Sequence, residues 1–118
     1  MTVDVDVWLR GTDVATTEVI EGIEREPSAW TDGDVQRLLV GMLRAMHHVK
    51  HPSENPGEVT LRGLSWIVNP FESGGVVVAI EITMGAAIAG PFDIELATLQ
   101  ARIARVLASQ TATPGTVH

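Results

Sequence analysis

The sequence predicts an α+β fold: an antiparallel four-stranded sheet in ββαββα order with two main helices on one face. Three observations carry this. Residues 31–51 place apolar side chains at helical spacing, residues 3–9 alternate apolar with polar, and residues 92–108 give a second helical stripe behind two apolar strand segments. At 118 residues the chain is one domain, expected over 1–108 with a frayed tail at 109–118 that holds Pro114 and Gly115.

Val3, Val5, Val7 and Leu9 alternate with Asp4, Asp6 and Trp8, the pattern of a strand with one wet face. Arg10-Gly11-Thr12-Asp13 is a turn. Residues 14–25 carry both signals. Ala15, Val19 and Ile23 recur at i, i+4, i+8, yet Val14, Thr16, Thr17, Val19, Ile20 and Ile23 are β-branched and Gly22 sits among them. Branched side chains lose freedom in a helix and fit a pleated sheet, so a second strand pairing with 3–9 is expected.

The helix over 31–51 is the segment the sequence comes nearest to forcing. Val35, Leu38, Leu39, Met42, Leu43, Met46 and Val49 make its core face, Thr31 and Asp34 its capping box, and Pro52 its stop. Trp30 precedes the cap and could staple against Val35. A loop follows over 52–57, then strands over 59–68 and 75–84 around a turn. On the second strand Val76, Val78, Ile80, Ile82 and Met84 share one face; Val77, Ala79, Glu81 and Thr83 share the other. Pairing polar with polar sets Arg62 opposite Glu81 or Thr83. Both strands are more apolar than a solvent-facing sheet needs, so part of the second face should be covered. Residues 85–90 read as a small-residue connector, and Pro91 as the first position of the last helix. That helix has one stripe of Phe92, Leu96, Leu99, Ile103, Val106 and Leu107 and an opposite one of Ala97, Ala101, Ala104 and Ala108.

The net charge of −7 lies wholly in residues 1–34, where nine acids face Arg10 and Arg25. An acidic surface repels phosphate backbones, which disfavours nucleic acid as a partner. There is no cysteine, hence no disulfide, no thiol nucleophile and no Cys-based zinc site. The acidic start has no basic n-region, so no signal peptide is read there, and the most apolar run, 76–89, holds Glu81 and is too short to span a bilayer. A cytoplasmic protein is expected.

The chemistry-bearing cluster is Arg44, His47, His48 and His51 at the end of the first helix. Histidines there favour the helix dipole. The same face could meet an anion or an acidic partner, and His47 and His51, at i and i+4, have a spacing that lets two imidazoles share a metal. Arg44 places fixed positive charge on that face, which opposes a cation. No metal and no cofactor are therefore expected. The glycine-bounded 85–90 lacks the Lys-Ser/Thr pair of a phosphate loop.

His47-His48, then His51-Pro52, together with Asp93-Ile94-Glu95-Leu96-Ala97, resemble in part the pterin-4a-carbinolamine dehydratases. The resemblance covers a minor part of the chain. It implies a third histidine on a later strand, which this sequence lacks, so the dehydration chemistry is not assigned.

With catalytic motifs lacking, the expected function is a small protein-binding or assembly module, self-associating as a homodimer. Its interface candidates are Phe71, in an apolar turn, and Ala97, Ala101, Ala104 and Ala108. The rival is a small-ligand binder or enzyme using Arg44, His47, His48 and His51.

Overall fold

The computed structural model describes residues 2–54 and 59–111. The chain opens with strand β1 (Val3–Leu9), whose Val3, Val5 and Val7 are buried while Asp4 faces outward. Antiparallel to it runs β2 (Thr16–Ile20), in register from Val3 opposite Ile20 to Val7 opposite Thr16. The β-branched content of 14–25 prevails over its helical spacing, but only five residues of that stretch form the strand.

After a short 3₁₀ turn at Pro27–Ala29, Trp30 is fully buried. Its indole Nε1 donates to the Arg25 carbonyl at 2.9 Å, and its ring meets Phe92 edge-on at 4.8 Å. Helix α1 (Asp32–Lys50) begins with a reciprocal cap. The Asp34 N–H donates to Thr31 Oγ1 at 3.2 Å, and the Thr31 N–H donates to Asp34 Oδ2 at 3.0 Å. Asp34 is buried and also receives Arg25 at 3.1 Å and Arg37 at 3.0 Å. The Thr31 backbone N–H, followed by the Arg25 guanidinium and the Thr31 hydroxyl, holds its carboxyl below the ordinary range despite burial.

The second half corrects the expected order to ββαβββα. The strands are β3 (Ser65–Pro70), β4 (Val76–Ile82) and β5 (Gly85–Phe92), giving five strands among the described residues rather than four, ordered β2-β1-β5-β4-β3 and antiparallel throughout. The expected connector 85–90 is the central strand. Its small residues are used there: Ala87 and Ala89 lie buried beneath α1, and a Cβ on Gly85 would collide with the Trp8 carbonyl oxygen. Pro91 is consequently a strand residue and not a helix start; helix α2 (Leu96–Thr111) begins five residues later and continues into the expected tail. Residues 112–118 of that tail, and 55–57 of the expected loop, lie outside the described residues.

β3 also begins later than expected. Gly63 has φ +69°, a left-handed conformation that interrupts an extended chain, so Arg62 precedes the strand and Ser65 is the residue opposite Glu81. Glu81 is exposed.

Both helices cover the face that carries Val5, Val7, Ala87, Val78, Ile80 and Val68. Leu38, Leu39, Met42 and Met46 from α1, with Leu99, Ile103 and Val106 from α2, complete the core. Arg105 grips Asp32 at 2.9 and 3.0 Å and Arg102 reaches the same carboxylate at 3.4 Å, tying α2 to the start of α1. These contacts, Arg105 foremost, lower the Asp32 carboxyl and raise the Arg105 guanidinium from their ordinary ranges. No described helix is long and apolar enough to cross a membrane.

Candidate interaction surfaces

The sheet's second face is bare among the described residues, and its centre is apolar. Register defines the surface. Thr17, Asp6, Ile88, Ala79 and Ile67 lie opposite one another in a row that crosses all five strands. A neighbouring row runs through Trp8, Ala86, Glu81 and Ser65. On the other side Val19 lies opposite Asp4, and Val77 opposite Asn69. Val19, Ile67 and Ile88 are 57%, 51% and 36% exposed. The face also carries Asp4, Asp6 and Glu81; of these, Asp6 accepts from Thr17 Oγ1 at 2.7 Å. An antiparallel sheet with one solvated face ordinarily places polar residues at these alternate positions. The expectation that part of this face is covered is not met by any described residue of the chain itself.

The cluster at the end of α1 does not converge. Residues one apart on a helix point in different directions, whereas those four apart share a side. Arg44 and His48 therefore face β2, where His48 Nδ1 lies 2.6 Å from Glu18 Oε1. They line a groove of about 820 Å³ with Gly33, Arg37, Val40 and Gly41 of the helix. His47 and His51 fall on another side, their rings 5.0 Å apart at 45°. His51 Nδ1 reaches Glu54 at 2.9 Å. His47 borders a smaller cleft with Thr60, Arg62 and Thr83, and its Nδ1 is buried with no hydrogen-bond partner among the described residues. Among the described residues no three His, Asp or Glu side chains converge where a metal ion would sit.

The predicted interface residues are all exposed. Phe71, 43% exposed, stands at the turn between β3 and β4, where its N–H donates to the Gly75 carbonyl at 2.9 Å. Ala97, Ala101, Ala104 and Ala108 lie on the outer side of α2, away from the buried Leu99, Ile103 and Val106. That stripe belongs to the helical layer and the bare sheet face to the opposite side of the molecule. The sequence points to the stripe as an interface and to the sheet's second face only as a surface to be covered. The signal was present: Val77 and Ala79 are apolar at the alternate positions of β4, as Ala86 and Ile88 are in β5.

Compared with protein-family models, curated proteins and solved structures, the chain matches none.

Proposed function

We propose that this chain is a protein-binding and assembly module of the cytoplasm whose bare sheet face is its contact surface, occupied by a second copy. One observation carries the reading: five strands present an apolar centre on the side that no described residue covers. Two such faces stacked across a two-fold axis near Ile88, in the central strand, would bury Ile88, Trp8, Ala79 and Ile67 at the usual sheet-to-sheet spacing of about 10 Å. The face measures roughly 24 by 20 Å from strand spacing and rise. That is near the lower end of what supports a specific interface, so a dissociation constant on the order of micromolar is expected.

The carboxylates of Asp4, Asp6 and Glu81 belong at the rim of this contact. They repel their copies across the axis, so salt should strengthen the association. The stripe of Ala97, Ala101, Ala104 and Ala108 is the competing contact. Sedimentation velocity across a concentration series separates the two. Ile88→Lys is expected to leave a monomer and Ala101→Arg a dimer. A wild type that stays monomeric at high micromolar concentration overturns the self-association, and a dimer broken by Ala101→Arg alone moves the contact to α2. The second reading is a ligand site at Arg44 and His48, favoured by their place in the groove beside β2.

A further inference from the structure

The groove between β2 and α1 has the shape of a channel. Two contacts fix its walls. At one, His48 meets Glu18 at 2.6 Å. At the other, α1 comes so near the strand that a Cβ on Gly41 would lie 2.8 Å from Ile20 side-chain carbons. From residue 41 to 48 the helix advances about 10 Å, and from 20 back to 18 the strand covers about 7 Å. The two elements therefore run side by side in opposite senses. Gly41 and Ile20 line the channel where they meet, with Val40 beside them as an apolar, half-buried wall.

The strand wall is a free edge. Among the described residues β2 pairs with β1 alone, so the backbone groups on its other side lack a described ladder partner within the sheet. The opposite edge, β3, ends in Pro70, which has no N–H to offer another strand. β2 is short and carries Glu18 on its inner side, but it has no proline, no lysine and no bulge to block the addition of a strand. A free strand edge beside a helix is the arrangement by which extended peptides are taken up as an added strand.

Charge narrows the occupant. Along the helical wall, Arg37 is taken by Asp34 and His48 by Glu18. Arg44 is exposed, lines the groove, and forms no ion pair among the described residues; Glu21, also exposed, borders the groove past Ile20, toward the Gly33 end and away from Arg44. The polar groups are strung along the channel instead of converging on one point, which suits a chain better than a compact small molecule.

We infer that this groove takes an extended peptide, which adds to the free edge of β2 as a sixth strand and sets an acidic side chain against Arg44. The backbone supplies affinity through strand hydrogen bonds, and Arg44 supplies selectivity for the acidic residue. This site lies at the β2 margin of the bare sheet face, where Val19 borders both, and does not depend on self-association.

The test uses a pool of blocked hexapeptides with Asp fixed at the third position and Thr, Val, Ser or Ile elsewhere, followed by amide chemical shifts of the full chain. Shifts are expected at 16–20 and 37–48, with slowed hydrogen exchange of β2 amides. Arg44→Glu, an exposed change whose folding is checked by circular dichroism, should weaken binding at least tenfold. A pool with Lys in place of Asp should regain that binding on Arg44→Glu. N-methylation of alternate peptide amides should abolish it by removing the strand donors. No binding at millimolar pool concentration overturns the inference. So does equal binding of the Lys pool to wild type, binding that survives N-methylation, or shifts confined to the bare sheet face.

Discussion

The two faces of this sheet are built from similar side chains and meet different fates. On the covered face Val5, Val78 and Ile80 lie under two helices and are all but inaccessible to water. On the bare face Ile88, Ile67 and Val19 occupy the alternate positions of the same strands or their neighbours and remain open. Apolar composition on the covered face is explained by the fold. On the bare face it is not, because no described part of the chain requires it. The covered face should therefore govern stability and the bare face association, and the two should respond to different perturbations.

The largest expected effect is on the covered face. Ile80→Ala removes buried methylenes beneath the helices and should lower unfolding free energy by about 2–5 kcal/mol, read from urea denaturation. Ile88→Ala should cost less than about 1 kcal/mol at concentrations where the protein is monomeric. Equal losses at the two sites would erase the distinction between the faces.

Next comes the anchor of the layer that covers the first face. Asp34→Ala removes the reciprocal cap of α1 and leaves Arg25 and Arg37 without their shared carboxylate. A loss of about 2 kcal/mol is expected by thermal or urea unfolding, from capping and the buried position together. Asp34 also gives a pH signature. Its carboxyl sits lower in the folded chain than in the unfolded one, chiefly through the Thr31 N–H. The stability it contributes is full above the ordinary aspartate pKa of about 3.9 and is lost as pH falls through the lower folded value. Asp34→Asn should flatten the dependence of stability on pH in that acid window.

The smallest effect belongs to the bare face. Raising salt from about 0.05 to 0.5 M should tighten self-association a few-fold by screening Asp4, Asp6 and Glu81, measured by sedimentation. A weakening with salt would point to a partner of opposite charge.

How far the sequence announced all this depends on whether the signal was local. Helix α1 was legible because its cap, apolar stripe and stop are each written in neighbouring residues. β5 was not, because Gly85, Ala86, Ala87, Ala89 and Gly90 have little strand preference of their own. Their strand is made by a place between β1 and β4, with Ala87 and Ala89 buried beneath α1 and Gly85 and Gly90 set close against the backbones of β1 and β4. The register of β3 turned on the conformation of Gly63, and with it went the pairing of Arg62 with Glu81. The division of the histidines was readable from spacing, since Arg44 with His48 and His47 with His51 are each four apart. The apolar second face was also readable. What the sequence could not locate was its cover, because no described residue supplies one.

We propose the bare sheet face as an association surface. Amide and methyl chemical shifts followed over a dilution series test it residue by residue. The claim predicts concentration-dependent shifts at Trp8, Ala79, Ala86, Ile88 and Ile67, with Ala97, Ala101 and Ala104 unmoved. Shifts confined to α2, or none up to high micromolar concentration, would contradict it.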